Sequence, residues 1–231
     1  MPLGSPRRHF RVTDSTNQRA RELAREGAPH GTVVTAEEQT AGRGRQGRSW
    51  VAPRGQALLC SYVVRPLAEH NELMPLAVPL AVCEAAELLG APSCGVKWPN
   101  DVWVGDRKLA GVLIEARPGE DWAVIGVGLN VSVEPAELPL ELRDRAVSIG
   151  GDATPGGALA ALNGALEDWL KATREAVLTG FRERDALAGR PVRWDGGFGV
   201  AAGVDGDGGL VVSLASGESV SLRAGEVHLS V

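Results

Sequence analysis

The sequence lacks the marks of several protein classes. It has only 3 cysteines in 231 residues, and Cys60, Cys83 and Cys94 lie in apolar surroundings without a C-x-x-C pair. Such thiols are typical of a reducing cytoplasm rather than of an exported domain held by disulfides. The 4 histidines have no metal-ligand spacing, and no apolar run approaches the about 20 residues of a membrane-spanning helix. We therefore expect a cytoplasmic location, without a structural zinc or a membrane span.

An excess of basic residues is also lacking. The formal net charge is -5, whereas binding of nucleic acid by phosphate neutralisation needs an extended basic surface. We therefore expect no DNA partner. With 44% hydrophobic and 23% charged residues, the chain is long enough for one good-sized domain and a small appendage.

Positive charge is concentrated in residues 39–50, QTAGRGRQGRSW, which we call the arginine loop. Arg43, Arg45 and Arg48 stand there among three glycines with no acidic residue between them. Glycine lets the backbone approach a ligand closely, and guanidinium groups bind carboxylate or phosphate oxygens through paired hydrogen bonds. The pattern predicts a site for a small anion, on a loop that is mobile when empty and ordered when filled.

Two nucleotide-binding motifs match the arginine loop in letters only. Gly42, Gly44 and Gly47 fit G-x-G-x-x-G, and residues 42–49 fit a P-loop with Arg48 in place of lysine. Both motifs need a helix directly afterwards, whereas a proline-containing turn and a β-like run follow here. The loop is therefore expected to join two strands, which argues against Rossmann and P-loop enzymes. A solvated basic loop or an arginine-glycine nucleic-acid patch stays open on this stretch alone.

The rest of the chain reads as a mixed α/β protein. A short strand and a helix that Asp14, Ser15 or Thr16 can cap precede two strands, and residues 73–89 read as a buried helix. A β-meander follows, with its two-residue turn at Gly105 and Asp106, and then a helical pattern from 155 to about 187. The last 44 residues contain four β-like runs, which predict a small barrel of its own.

One strand of the meander has an informative alternation. Ile125, Val127, Leu129, Val131 and Val133 fall on one face, and the opposite face carries Gly126, Gly128 and Asn130. Two glycines on one face leave a groove in which something packs directly on the backbone. A ligand and a closely packed helix are equally good occupants.

Two lysines are candidates for the same region. Lys108 starts a mostly apolar strand after the Gly-Asp turn, and Lys97 precedes a connection rich in turn-forming residues. A surface lysine and a hairpin corner are the plain alternatives. Asp101 and Glu115 lie close by in sequence and either help to hold magnesium or pair with the cations. We favour pairing for Glu115 and leave Asp101 open.

Five motifs together resemble the biotin protein ligases. They are DSTN at 14–17, GRGRQGRSW at 42–50, KWPND at 97–101, KLAGVLIE at 108–115 and GVGLN at 126–130. The C-terminal run from 189 resembles the small SH3-like domain of these enzymes. The roughly 10 residues before DSTN leave no room for the DNA-binding domain of the regulatory members, so the resemblance implies a short form without repressor function.

The resemblance implies a fold, an activity and partners. The fold is α/β (α+β), a mixed, largely antiparallel sheet with packed helices like that of class II aminoacyl-tRNA synthetases, divided into a catalytic domain (1–187) and an SH3-like domain (188–231). The activity is activation of biotin by ATP and Mg²⁺ to biotinyl-5′-AMP, followed by transfer to a lysine of a biotin carboxyl carrier domain. A monomer or weak dimer is expected. Lipoate or octanoate ligases or transferases share this fold, and a non-catalytic biotin-binding or nucleic-acid-binding protein is the third alternative.

The resemblance also implies roles for individual residues. Lys108 is the first candidate for catalysis and Arg45 the second. Residues implied to contact biotin or its activated carboxylate are Ser15, Thr16, Asn17, Gln39, Gly42, Arg43, Gly44, Arg45, Lys108, Gly111 and Gly126. Those implied for ATP are Arg45, Arg48, Trp50 (against adenine), Lys97, Asn100 and Asn130, with Asp101 as a candidate magnesium ligand.

Overall fold

The structure is a computed structural model that describes residues 2–69 and 72–229. Its larger sheet is built from seven strands: β1 (Arg7–Phe10), β2 (Val33–Ala36), β3 (Ala57–Val64), β4 (Gly95–Lys97), β5 (Asp101–Val104), β6 (Arg107–Ala116) and β7 (Ala123–Asn130). Their order across the sheet is β1-β2-β3-β7-β6-β5-β4. The β1–β2 pair is parallel and all other neighbours in this sheet are antiparallel. The predicted mixed, largely antiparallel sheet is confirmed.

Helices cover both faces of this sheet. They are α1 (Thr16–Arg25), α2 (Met74–Leu88), α3 (Leu140–Arg143), α4 (Pro155–Lys171) and α5 (Arg174–Glu183). The helical pattern predicted from 155 to about 187 is confirmed as two helices, because α4 ends at Lys171 and Thr173 caps α5 by accepting the N–H of Ala176. In contrast, α2 continues through Pro79 without a break.

The start of α1 differs from the predicted capping. Ser15 is the N-cap residue by backbone conformation, yet its side chain makes no capping hydrogen bond. The side chain of Gln39 instead accepts the N–H of Thr16 at 2.7 Å. At the other end, Gly27 has φ +89°, and the N–H of Ala28 donates to Leu23 O as the reversal requires. Gly27 is therefore the residue at which the chain turns out of α1.

The two faces of β7 pack against different parts of the chain. Ile125, Val127 and Leu129 enter the main core with α2 and α4, whereas Val124 belongs to a smaller cluster beneath α1. This is the alternation that the sequence predicts. Val133 is the exception, because β7 ends at Asn130 and the chain has turned before it. Its side chain packs in a third cluster, with Ala57, Leu59 and Leu138.

The C-terminal residues form a second, five-stranded antiparallel sheet. Its strands are β8 (Pro191–Trp194), β9 (Gly197–Val204), β10 (Leu210–Ser213), β11 (Ser219–Leu222) and β12 (His228–Leu229), in the order β11-β10-β9-β8-β12. It has one strand more than predicted, the two-residue β12. Val192, Leu210 and Val212 share the main core with α2 and the first sheet, so its core is not separate. An independent domain at 188–231 stays a prediction.

The second sheet also packs against the first sheet and its helices. The turn before β10 inserts Gly208 against Leu73 and Leu76, where an added Cβ would lie 3.2 Å from each side chain. Gly208 O accepts the indole N–H of Trp98 at 3.0 Å. The second sheet is thereby fixed to the turn that carries Asn100 and Asp101. Within residues 2–69 and 72–229, no helix combines the length and apolar character needed to cross a membrane.

Candidate active site

The arginine loop joins β2 to β3, as predicted, and folds into a small closed turn. Trp50 N–H donates to Gly42 O at 3.0 Å, and Gly44 N–H donates to Arg48 O at 2.7 Å. Between these bonds, Gln46 is left-handed (φ 53°), inside a single turn of 3-10 helix. No α-helix follows in the described residues before β3, so the rejection of the Rossmann and P-loop motifs holds.

One cavity gathers nearly all of the residues singled out by the sequence. It lies between the start of α1, the arginine loop and the strands β4 to β7. The predicted residues that line it are Ser15, Thr16, Asn17, Gln39, Arg43, Gly44, Arg45, Arg48, Trp50, Lys97, Asn100, Asp101, Lys108, Gly111 and Gly126. Gly42 and Asn130 are the two that do not line it.

One side of the cavity is formed by hydrogen-bonded side chains of Thr16, Asn17, Gln39 and Ser61, which we call the polar floor. The Thr16 hydroxyl donates to Gln39 Oε1 at 2.9 Å. The buried Ser61 hydroxyl lies 2.8 Å from Thr16 Oγ1 and donates to Asn17 Oδ1 at 2.7 Å. Asn17 Nδ2 in turn donates to Glu115 Oε2 at 2.9 Å. Because each neutral group has a fixed partner, the floor is ordered without a ligand.

The helix entry beside the floor carries a carboxylate held by an arginine. Arg19 donates two hydrogen bonds to Asp14, and these lower the pKa of Asp14 from 3.8 to about 2. Asp14 Oδ1 also accepts the N–H of Ser15 at 2.6 Å. Asp14 is thus ionised at neutral pH and fixes the turn that delivers Ser15 to the cavity.

The glycine groove predicted on β7 is filled by the chain itself. A Cβ on Gly126 would lie 1.9 Å from Asn17 Oδ1, and a Cβ on Gly128 would lie 2.4 Å from Trp50 Cε2. Gly111 lies directly opposite Gly128 on β6, and a Cβ on Gly111 would lie 3.0 Å from Trp50 Cζ3. A helix side chain therefore occupies one end of the groove and the last residue of the arginine loop occupies the other.

Trp50 leaves little room for a ligand. The cavity has a volume of about 110 Å³, below the roughly 300–1,000 Å³ typical of ligand pockets. The indole nitrogen of Trp50 is buried and has no hydrogen-bond partner among the described residues. An unpaired buried donor costs about 1–3 kcal/mol. The tryptophan is therefore the side chain that a larger ligand would displace at least cost.

Each arginine of the loop pairs with a distant part of the chain. Arg43 contacts Glu115 at 3.1 Å, and Arg48 forms an ion pair with Glu226, close to the C-terminal strand β12. Arg45 donates to Asn100 Oδ1 and Gly225 O, both at 3.4 Å. The absence of acidic residues within the loop is thus compensated by carboxylates from elsewhere. Pairing of Glu115 with cations, the favoured interpretation, is confirmed.

Lys108 stands at the centre of the cavity and forms an ion pair. Its ammonium is 2.7 Å from Asp101 Oδ1 and 5.5 Å from the centre of the Trp50 ring. Its backbone is fixed as well, since its N–H donates to Arg145 O at 2.7 Å and its carbonyl accepts from Val147. Asp101, left open between magnesium and a cation, pairs with Lys108 in this structure.

Lys97 is held differently from Lys108. Its ammonium lies over the ring of Trp103, 5.0 Å from the centre. Burial is the main cause that lowers the pKa of Lys97 below its ordinary value, and the nearby charges of Lys108 and Arg48 lower it further, while Asp101 opposes them. Lys97 therefore loses its proton at a lower pH than a surface lysine does.

Asn130 has a structural position. Its side-chain amide donates to the carbonyls of Val147, at 3.1 Å, and Lys108, at 3.4 Å. It is buried behind the strand end instead of facing the cavity. In this arrangement Asn130 holds the backbone of Lys108, and its contact with ATP stays a prediction.

Two residues of the site are missing from the sequence analysis. Ser61 lies on β3, and its signal is a small polar side chain within the buried run ALLCSYVV. Glu226 lines the cavity from the second sheet, far away in sequence, and no local pattern marks it. A polar residue in an otherwise buried strand is a usable sign of a site, whereas a long-range ion pair is not.

The chain was compared with known proteins. The model of the biotin/lipoate A/B protein ligase family matches residues 9–132. The biotin--[acetyl-CoA-carboxylase] ligase of Mycobacterium tuberculosis is 34% identical over 94% of this chain and 86% of its own. The bifunctional ligase/repressor BirA of Bacillus subtilis is 39% identical over 60% of this chain, and the match spans 44% of the Bacillus protein.

Solved structures agree over almost the whole length. The biotin protein ligase from Aquifex aeolicus in complex with biotin and ATP superimposes with a TM-score of 0.81 and 28% identity, covering 98% of this chain and 99% of the other. That agreement includes the second sheet, and it bears out the fold that the motifs imply. By the family match and by the identity to the mycobacterial ligase, the chain belongs to the biotin/lipoate A/B protein ligase family.

Proposed function

We propose that this chain is a biotin protein ligase, which activates biotin with ATP to biotinyl-5′-AMP and then transfers biotin to a lysine of a carrier domain. The observation that supports this best is the cavity, in which Arg43, Arg45, Arg48, Lys97 and Lys108 face a neutral polar floor. The cations would match a polyanion, and the polar floor would match a largely uncharged ring system. Relatives solved with biotin and ATP, or with biotinyl-5-AMP, support the same pair of substrates.

The first half-reaction is an attack of one anion on another. The biotin carboxylate forms a bond to the α-phosphorus of ATP, and the bond to the β-phosphate breaks as pyrophosphate leaves with the electron pair. In the proposal, Lys108 neutralises the carboxylate and the bridging oxygen, and Arg45 and Arg48 bind phosphate oxygens. Such fixed cations act by positioning and by electrostatic stabilisation. Asn17, Thr16 and Gln39 would hydrogen-bond the biotin ring.

Ligand binding requires the internal ion pairs to open. Arg43 and Arg48 can meet an anion only when they release Glu115 and Glu226, and Trp50 must leave Gly128 and Gly111. We propose that the freed indole then covers the nucleotide base, as a large aromatic surface favours. Closure would exclude water from the reactive anhydride until the carrier lysine arrives.

Magnesium enters the proposal as the ion that ATP carries. In the described part of the chain, no group of three or more His, Cys, Asp or Glu side chains is arranged to hold a metal. Asp101 and Glu226 are the carboxylates that line the cavity. Mg²⁺ is commonly held by one or two carboxylates together with substrate phosphates. Asp101 fits that role once Lys108 has turned to the substrate, and bound Mg²⁺ would neutralise phosphate charge.

The test is ATP–pyrophosphate exchange with biotin, lipoate or octanoate added separately. The proposal expects exchange with biotin only. Exchange with lipoate or octanoate only would assign the chain to the lipoate branch of its family, which the family description also covers. Absence of exchange with every acid would reject an adenylating enzyme and favour a binding protein.

The partner and the location are parts of the same proposal. The acceptor would be the biotin carboxyl carrier domain of a biotin-dependent carboxylase, by analogy with the mycobacterial and Paracoccus denitrificans ligases named for acetyl-CoA carboxylase. A cytoplasmic location is supported by Cys60, Cys83 and Cys94, which are all buried free thiols. We propose a monomer or weak dimer, to be measured by light scattering.

A further inference from the structure

Lysine is nearly absent from this chain. Of the 24 basic residues only Lys97, Lys108 and Lys171 are lysines, and 21 are arginines. The two side chains carry the same charge but differ in chemistry. A lysine amine becomes a nucleophile once it loses its proton, whereas a guanidinium stays protonated at any ordinary pH. The surface charge of this protein is therefore almost free of amines.

The three lysines lie in two kinds of place. Lys97 and Lys108 line the cavity, where one is held over the Trp103 ring and the other is paired with Asp101. Lys171 is the last residue of α4, which packs with α2 on the face of the sheet opposite α1. Its side chain is 65% exposed and pairs with a carboxylate of its own helix, Glu167, at 2.8 Å.

Amines matter because the proposed product is an acylating agent. In biotinyl-5′-AMP, an amine can form a bond to the activated carbonyl carbon, the bond from that carbon to the phosphate oxygen breaks, and AMP leaves with the electron pair while the nitrogen releases its proton to water. The same step that labels the carrier would label any amine of the enzyme that reaches the carbonyl. An amine at the opening of the cavity, which we call the mouth, would have a high effective concentration relative to the activated carbonyl.

We propose that the use of arginine in place of lysine keeps this enzyme inert to its own acyl-adenylate, and that Lys171 is its one lysine open to self-biotinylation. The inference rests on the proposed function. The mouth of the cavity supports it, because the cations there outside Lys97 and Lys108 are Arg43, Arg45 and Arg48. A hollow of about 310 Å³, which shares Arg45 and Asn100 with the cavity, adds Arg223.

The two cavity lysines fit this inference by their contacts. The ammonium of Lys108 is held between Asp101 Oδ1, at 2.7 Å, and the ring of Trp50, whose centre is 5.5 Å away. Lys97 is directed onto the aromatic face of Trp103. Both lysines are thus held within the site by other side chains, whereas the side chain of Lys171 is 65% exposed.

The experiment places new amines near to and far from the mouth. Arg223→Lys keeps the charge beside Asp207 and lies outside the residues assigned to substrate binding. Arg25→Lys is the control, since Arg25 is exposed in the last turn of α1, about 13 Å along the helix from Thr16. Each protein is incubated without carrier, once with biotin, ATP and Mg²⁺ and once with chemically prepared biotinyl-5′-AMP. Biotin is then mapped on peptides by mass spectrometry.

The expected map is specific. The starting protein carries biotin slowly at Lys171 and at no other lysine, and Lys171→Arg removes that signal. Arg223→Lys gains biotin at 223 at least about tenfold faster than Lys171, because residue 223 lines the hollow that shares Arg45 and Asn100 with the cavity. Arg25→Lys reacts no faster than Lys171, since it meets only released adenylate. The α-amino group is scored separately.

Two results would overturn the inference. One is an unmodified Lys at 223 in a protein that still exchanges pyrophosphate, and the other is biotin on Lys97 or Lys108. Failure of the proposed function is distinguishable from both. It would abolish exchange and all labelling with biotin and ATP, whereas labelling by the prepared adenylate would still compare the amines.

Discussion

The polar floor and the arginine loop meet in one cavity but are held together in opposite ways. On the floor, Thr16, Asn17 and Ser61 are buried neutral groups that bond to one another and to Gln39. In the loop, the side chains of Arg43 and Arg48 are 48% and 61% exposed and pair with carboxylates. Exposed ion pairs contribute only about 0–1 kcal/mol each and are screened by salt, whereas unpaired buried polar groups are costly.

Because of this difference, the polar floor is formed before a ligand binds, whereas the arginine loop must move. The floor keeps its shape without a ligand, because breaking any of its bonds leaves a buried group unsatisfied. The loop can exchange Glu115 and Glu226 for a polyanion at little cost, and Trp50 gains by leaving a place where its N–H is unpaired. In the proposed function, the surface that meets the biotin ring is therefore formed before binding, and the energy of phosphate binding would be available to close the loop.

The largest effect on the contrast between floor and loop is expected when the cation of Lys108 is removed. We expect Lys108→Ala to lower the rate of ATP–pyrophosphate exchange by at least about 100-fold to 1,000-fold, as loss of one group that stabilises developing charge does. Arg45→Ala should have an effect of similar size. The fold should persist in both, since Lys108 makes one partly exposed ion pair. Thermal unfolding and exchange are measured on the same samples.

A matched control for the cation is Arg25→Ala, which removes an exposed arginine from the far end of α1. Its exchange rate should equal that of the unmodified protein. If Lys108→Ala kept full exchange, neutralisation of the carboxylate by Lys108 would be the wrong assignment. If it unfolded, the residue would be structural.

The floor is tested by adding one carbon atom. In Gly126→Ala the new Cβ would overlap Asn17 Oδ1, at 1.9 Å, so the amide must turn away from Ser61. We expect the KM for biotin to rise about tenfold, the equivalent of about 1.4 kcal/mol, with a smaller change in the KM for ATP. Gly164→Ala is the control, because a Cβ there meets nothing within 4 Å and the site lies within α4. An unchanged KM for biotin in Gly126→Ala would remove Asn17 from the biotin site.

How much of this could be predicted from the sequence depends on the range of the contact. The face of β7 that carries Gly126 and Gly128 follows from period-two alternation, and the strand-to-strand path of the arginine loop follows from the proline and β-branched residues after it. Lys108 at a strand start follows from the Gly-Asp turn. Each of these depends on neighbours in sequence, where steric rules act directly.

The features that the sequence does not reveal are those that contacts between distant residues determine. Glu226 neutralises Arg48 across more than 170 positions, and no local pattern can reveal that partner. Asn130 turns to the carbonyls of Lys108 and Val147 because the chain after β7 folds back over it. The cap of α1 comes from Gln39 for the same reason. Long-range polar contacts determine the geometry of the site, whereas local periodicity determines the strands and helices that bring the site residues together.

A smaller change tests how the floor is linked to the fold. Ser61→Ala removes the hydroxyl between Thr16 and Asn17 without adding volume. We expect a loss of about 1–3 kcal/mol in the free energy of unfolding, because buried partners are left unsatisfied, with a modest rise in the KM for biotin. Ser132→Ala, at an exposed position, should change stability by less than about 0.5 kcal/mol. Chemical denaturation compares the two, and equal values would mean that the Ser61 hydrogen bonds are not coupled to stability.

The smallest expected effect concerns the pH dependence of ATP binding. Burial lowers the pKa of Lys97, so its positive charge is lost, as pH rises, at a lower pH than that of an ordinary lysine. The kcat/KM for ATP should therefore fall on the alkaline side, and Lys97→Arg should move that fall to higher pH, because arginine stays charged. The buried Cys60 and Tyr62 do not explain such a limb, since burial raises the pKa of Cys60 to about 12 and that of Tyr62 well above its ordinary value. An identical alkaline limb in Lys97→Arg would show that Lys97 does not meet the phosphates, and the cationic wall would then consist of Lys108 and the arginines alone.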